Sequence, residues 1–245
     1  MAPRARLAAA GVAAALLAAG ILAQVLPGNP DKDDRPELGL FTSLPIYWSE
    51  SEGVGEALDG GGAVHWARTA LEEGHRLVPL DTLDGDNLAR LERLVMAQPQ
   101  PLAPAENVAL DDWVRGGGRL LLFADPFLTE HSRFLLGDKR RPQDMVVLSP
   151  IMRRWGLELR FDEDQPAGER TISFAGTSIP VEMVGTFARI APGAASDCAL
   201  SAGDAVARCQ VGKGEVLLLA DAALFDRERP APEPLAALSA AAFTR

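Results

Sequence analysis

What this 245-residue chain lacks narrows its chemistry before anything present is read. It has no G-x-S-x-G elbow, no H-E-x-x-H pair and no glycine-rich phosphate loop, the signatures of α/β-hydrolases, zinc proteases and P-loop enzymes. The one glycine run, Gly60 to Ala63, follows an acidic loop rather than a strand end. Imidazole is scarce: only His65, His75 and His131 can serve as a general base, and His65 on a helix and His75 before a strand sit where a surface histidine is ordinary. No ATPase motif and no series of apolar helices is present, so the chain is not a transporter by itself. Basic residues are outnumbered, 24 against 34 acidic, for a formal charge of −10. Such a surface repels phosphate backbones and argues against a nucleic-acid partner. No metal-binding loop spacing or internal repeat occurs, and no cofactor is implied.

One long apolar run stands apart from the rest. Leu7 to Leu26 is 20 residues long, has Gln24 as its only strongly polar member, and follows Arg4 and Arg6. That length spans a bilayer, and the basic flank orients it. Residues 1–26 therefore read as an uncleaved signal-anchor or as a signal peptide cut near Ala23. Either way the remainder crosses the membrane. The expected placement is a single pass through the inner membrane with a periplasmic domain, the alternative being a soluble periplasmic protein. No cysteine closely follows the run, which speaks against lipoprotein processing. Residues 27–37 are a polar, proline-punctuated linker.

From residue 38 the pattern alternates between short apolar runs and helical spacings. Strands are predicted at 38–43, 76–80, 94–97, 120–124 and 214–220. Helices are predicted at about 63–73 and 88–91, from Pro104 to the glycines Gly116–Gly118, at 144–155 and at 235–243. Continuous apolar strands such as Leu120 to Ala124 indicate a parallel sheet covered by helices on both faces. Trp113, on the apolar face of its helix, is expected to be buried against that sheet. Residues 157–210 read as an antiparallel β extension, and 226–245 as a proline-rich turn and a last helix.

Two segments carry a family resemblance. LAPAEN followed by LDDWVRGGGRLLL and Asp125-Pro126, with VGKGEVLLLADAALF at Val211 to Phe225, resembles the ABC-type uncharacterised transport system domain. That family is related to the accessory component of the gliding-motility ABC transporter. The resemblance covers residues 38–225 and implies a flavodoxin or class I glutamine amidotransferase-like α/β fold. It also implies association with an ABC transporter permease or other envelope proteins. The amidotransferase relatives use a Cys-His-Glu triad. No cysteine here follows a buried strand, so that activity is not implied.

Cys198 and Cys209 flank Ala202-Gly203-Asp204, which is turn chemistry. A hairpin turning near Gly203 sets the two sulfurs opposite one another, and an oxidising compartment would join them as a disulfide.

Open α/β sheets bind ligands beyond the carboxyl ends of their strands. The polar residues predicted there are Ser43, Asp81, Gln98, Asp125 and Asp221. Their carboxylates could hold a hard cation or, alternatively, cap the turns that follow. Tyr47 and Trp48 join the set as aromatics beside a strand end. The binding residues expected are thus Ser43, Tyr47, Trp48, Gln98, Asp125 and Asp221, with no catalytic set. Gly137 to Pro142 (GDKRRP) is a basic loop whose arginines either meet an acidic partner or pair with Asp138 and Asp144. The expected function is a non-enzymatic, membrane-tethered envelope binding or accessory module associated with an ABC-type transport system. The alternative is a degenerate or unrecognised envelope hydrolase that uses His131, beside Ser132, with the Asp125 region.

Overall fold

The computed structural model describes residues 35–48, 64–135, 137–190 and 196–244. The apolar run 7–26, most of the linker and Gly60–Ala63 lie outside the described residues. Among the described residues no helix is long and apolar enough to cross a membrane. The expected single-pass placement in the inner membrane therefore has no support among the described residues.

Pro36–Arg245 form one compact unit around a seven-stranded sheet. Its strands run β2-β1-β3-β4-β11-β10-β9 across the sheet. The parallel part comprises β1 (Glu37–Thr42), β2 (Arg76–Pro79), β3 (Arg93–Ala97), β4 (Arg119–Phe123) and β11 (Gly214–Leu219). β9 (Ser196–Ser201) and β10 (Val206–Val211) extend it antiparallel at one edge.

The interiors of β1, β3 and β4 are apolar because both faces are covered, and alternate side chains enter different cores. Leu94, Met96, Leu120, Leu122, Val216 and Leu218 pack on the side of α3 (Pro104–Gly116). The helices α2 (Gly85–Leu88) and α4 (Ser149–Arg154) cover the same side. Val95, Leu121, Phe123, Leu217 and Leu219 face α1 (Trp66–Glu72) and α5 (Pro232–Phe243). The last helix is therefore part of this body rather than an appendage.

α3 begins with Pro104 in its first turn, where a missing N–H leaves no bond unmade. Glu106 reaches back to the Ala103 amide at 2.8 Å. The helix stops at Gly117, whose φ of 126° is open only to glycine. Trp113 is half-buried rather than buried, because its Nε1–H donates to the Leu91 carbonyl (2.8 Å) at the rim of the layer. That bond pins the indole over Gly118, where an added Cβ would stand 2.4 Å from the ring. Gly118→Ala should therefore destabilise the protein by about 1–3 kcal/mol through overpacking, measurable by urea titration.

Four expectations need correction. The helix expected over 144–155 covers only Ser149–Arg154, because Pro150 fits only a first turn, and the preceding chain is tied to the loop that leaves β4. There Leu128 N–H bonds Asp144 O, and Val146 N–H bonds Asp125 O. The extension over 157–210 is not one piece. β5 (Leu157–Arg160) pairs with β8 (Thr186–Arg189), and β6 (Glu169–Phe174) pairs with β7 (Thr177–Glu182), as separate two-stranded ribbons. Only β9 and β10 join the main sheet. His65, expected at the surface, is buried at the N-cap of α1. The short helix expected over 88–91 lies earlier, at Gly85–Leu88, where the Asp84 side chain accepts from Asn87 N–H and starts it.

Cys198 and Cys209 are register partners in β9 and β10 and are disulfide-bonded. Gly203, with a φ of 68°, sits in the turn between them.

Candidate functional site

The carboxyl ends of the parallel strands bring together four of the residues expected there. Ser43 follows β1, Gln98 follows β3, Asp125 follows β4 and Asp221 follows β11. The strand order reverses between β1 and β3, so Ser43 and Gln98 flank the switch point. That crevice is filled by the protein itself. Ser43 Oγ donates to the Gln98 carbonyl at 2.5 Å and accepts from the Gln143 amide at 3.0 Å. The Gln98 side chain donates to the carbonyls of Gln143 (2.8 Å) and Asp125 (3.2 Å) and accepts from the Asp125 amide at 3.0 Å. Gln98 also holds a positive φ of 44°, a strained state for a residue with a Cβ. Its satisfied amide stitches the β4 exit loop across the switch point.

Asp125 and Asp221 lie side by side, fully buried. Each spends its oxygens on backbone N–H groups. Asp125 accepts from Phe127 (2.8 Å) and Ala222 (3.1 Å), and Asp221 accepts from Ala223 (2.7 Å) and Glu182 (2.9 Å). They shape the loops over the strand ends. Burial pushes Asp125 up to about 7, with the nearby Glu182 charge adding to the shift. Burial and then the Asp125 charge raise Asp221 well above the usual carboxylate range. Two carboxyls this close and this dry share protons, since both cannot ionise together at modest cost.

The remaining expected residues lie elsewhere. Asp81 is exposed. Trp48 is 70% exposed and meets Tyr47 edge-on at 4.9 Å. Tyr47 packs under the Arg68 guanidinium, 4.1 Å from its ring centroid, against α1. The basic loop resolves into ion pairs, Arg140 with Asp138 at 2.7 Å and Arg141 with Asp144 at 2.7 Å. Among the described residues no cluster of three His, Cys, Asp or Glu side chains could hold a metal ion.

Above the buried aspartates opens a cleft of about 350 Å³. One wall is Thr129, Glu130 and His131 from the β4 exit loop. Glu182 closes β7, and Asp226, Arg227, Glu228 and Arg229 follow the 3₁₀ turn Ala223–Phe225. Arg229 sits among carboxylates: it pairs with Glu169, binds Asp226 at 2.6 Å and lies 3.6 Å from Glu182. Of these groups sequence reasoning singled out His131. Glu182 was missed because it belongs to a ribbon outside the sheet, which is fastened over the strand ends by the Glu182 N–H to the Asp221 carboxylate and the Gly185 N–H to Ala220 O.

Two side chains of α1 hold the outer wall of this cleft. His65 Nδ1 accepts the Ala67 amide, and its Nε2–H donates to Phe225 O, both at 3.1 Å. Trp66 Nε1–H donates to Asp226 O at 2.8 Å. Both ring nitrogens of His65 are thus committed in the neutral form. Burial, then the Arg227 charge, lowers it to about 4.

No family model matches this chain. A 98-residue stretch is 36% identical to the 2,3-bisphosphoglycerate-independent phosphoglycerate mutase of Ignicoccus hospitalis. That match spans 37% of this chain and 24% of the mutase. Among solved structures, an exo-β-1,4-mannosidase from an Opitutaceae bacterium is similar at a TM-score of 0.50 and 13% identity. The match covers 85% of this chain and 36% of the mannosidase. A cold-adapted β-galactosidase from Rahnella follows at 0.48 and 13%, covering 85% of this chain and 30% of its own. A ThuA-like protein from Bacteroides uniformis scores 0.42 at 12% identity, over 88% of this chain and 94% of that one. At 13% identity the likeness to the mannosidase bears on the fold alone. Neither the mutase nor the mannosidase is named as a transport component, and the expected assignment as a non-enzymatic accessory module of an ABC-type system is withdrawn.

Proposed function

We propose that the chain is a hydrolase-type α/β domain whose working site is the cleft above Asp125 and Asp221. In its parallel strand order, β2-β1-β3-β4-β11, we read the flavodoxin and class I glutamine amidotransferase-like arrangement. The observation that carries the proposal is the meeting of His131, Glu130 and Glu182 at one carboxyl edge, walled by Arg227 and Arg229. An imidazole and carboxylates facing one small cleft are the parts that general acid–base hydrolysis requires. Water adds across the scissile bond: one group takes its proton while another returns a proton to the leaving oxygen. The lining carries charge, hydroxyl and imidazole and no large apolar side chain, which suits a polar, hydroxyl-rich substrate.

The test is a panel of chromogenic glycosides and esters assayed with the purified chain. Turnover should fall by about 10²–10⁴ in His131→Ala or Glu182→Gln. Tyr47→Ala, a change outside the cleft lining, should leave turnover alone. Activity that survives both cleft substitutions, or no turnover on any substrate of either class, would defeat the proposal.

A further inference from the structure

The opposite edge of the sheet carries a second groove that the hydrolytic reading leaves unused. Arg93 opens β3 and Arg119 opens β4, and the two are register partners on neighbouring parallel strands. Alternation sends both side chains toward the same face of the sheet. Like charges placed directly opposite one another destabilise a sheet unless something answers them. Arg119 is answered: its Nη1 donates to the Phe243 carbonyl at 2.9 Å, at the end of α5. Arg208 holds the same helix end through Ala241 O at 3.0 Å and pairs with Glu215. Arg93 is not answered. Among the described residues its guanidinium has no hydrogen bond or ion pair, in a chain with ten more acidic than basic side chains.

Arg93 also stands at the junction of two openings. One, of about 580 Å³, is bordered by Trp113, the glycine turn Gly116–Gly118, Arg119 and Phe243. The other, of about 490 Å³, continues past Phe243 along α5 and is lined mainly by apolar side chains such as Leu71 and Leu235. Carboxylates are sparse along this groove, with Glu92 on the first rim and Glu73 on the second. Trp113 is held in place by its bond to Leu91 O and by contact with Gly118, so it presents a fixed aromatic surface.

We propose that this groove is an oxyanion-binding site: Arg93, beside Arg119, takes the carboxylate or phosphate of a small ligand whose apolar body rests on Trp113 and Phe243. A guanidinium offers a planar fork of donors that matches either group. The neighbouring Arg119 raises the local positive potential, and the aromatic walls supply the contact area that a bare phosphate cannot use.

The test is titration of the ¹⁵N-labelled protein with benzoate, benzyl alcohol and inorganic phosphate, read by amide and indole shifts. Benzoate should move the Trp113 indole N–H and the amides around Arg93 and Gly117, with an affinity that weakens as salt rises. Arg93→Gln should weaken benzoate at least tenfold, as expected for loss of a charge-assisted bond. It should leave the melting temperature unchanged, because among the described residues the guanidinium has no partner to lose. Phosphate should shift the same amides more weakly and identify the oxyanion as the recognised group. Three outcomes would overturn the proposal: equal binding of benzyl alcohol and benzoate, no change in Arg93→Gln, or benzoate shifts confined to the cleft around Glu182. Because the two sites lie on opposite edges, failure here leaves the hydrolase reading standing, and the converse also holds.

Discussion

Trp155→Ala should destabilise the protein by about 3–5 kcal/mol, the largest effect expected of any single substitution here. Trp155 is the largest fully buried side chain and lies in the core beneath α3 and α4. Its Nε1–H donates to Asp111 Oδ1 at 3.0 Å. The other Asp111 oxygen is held by Arg115 at 2.9 Å and Arg154 at 2.6 Å. Burial alone would raise this carboxyl, but the three donors win and hold it below the usual aspartate range. The loss should divide into two measurable parts. Trp155→Phe keeps most of the ring volume and removes only the N–H, so it should cost about 1–3 kcal/mol. The remainder up to the alanine value is the cavity. Urea titration of both variants provides the check. A Phe variant as damaged as the Ala variant would mean that the indole bond, rather than packing, dominates.

The second large effect is a pH dependence in which two contributions cancel. The Asp125–Asp221 pair retains a proton in the folded state that the unfolded chain loses near pH 4. Its stabilising contribution is complete below pH 4 and is lost as pH rises toward 7, by about 1.4 kcal/mol per pH unit for one proton. His65 runs the other way. Its folded value of about 4 lies below the unfolded 6.5, so its contribution is complete above pH 6.5 and is lost as pH falls. Between about pH 4.5 and 6.5 the slopes oppose, and the wild-type stability should be nearly flat. His65→Asn keeps a side-chain acceptor at the N-cap but cannot take up a proton. In that variant stability should climb by about 1.4 kcal/mol per unit as pH falls from 6.5 to 4.5. Chemical denaturation at four pH values would show it. A flat profile in the variant would mean that the aspartate pair is ionised in the fold.

The parts of the fold legible in the sequence were those fixed by local chemistry. Leu120–Phe123 and Val216–Leu219 read as strands because burial on both faces leaves no polar position in them. Pro104 and Gly117 punctuated α3 for the same local reasons in sequence and in structure. The cysteine pair was legible because its turn and its register are short-range. What escaped notice was set by distant partners. Nothing around Ser178 to Glu182 announces a ribbon separate from the sheet, nor that its last residue would be carried over the strand ends by Asp221. His65 looked like a surface residue because its burial depends on Phe225, 160 positions away. Ser43, Gln98, Asp125 and Asp221 were placed at the right edge by strand ends alone. Their roles as fasteners of one another and of the backbone became clear only from which N–H each oxygen meets.

The cross-strand disulfide has a consequence for motion. β9 is the outermost strand on its side of the sheet and would ordinarily fray first, with amides exchanging through small local openings. Cys198 is instead covalently joined to Cys209, which is fully buried in β10 two strands from β4. The β9 amides bonded to β10 should therefore exchange with protection closer to that of the central strands than to that of a free edge. Reduction should return them to fast exchange while Leu121 and Leu217 keep their protection. The bond makes the outermost strand a member of the same cooperative unit as the interior.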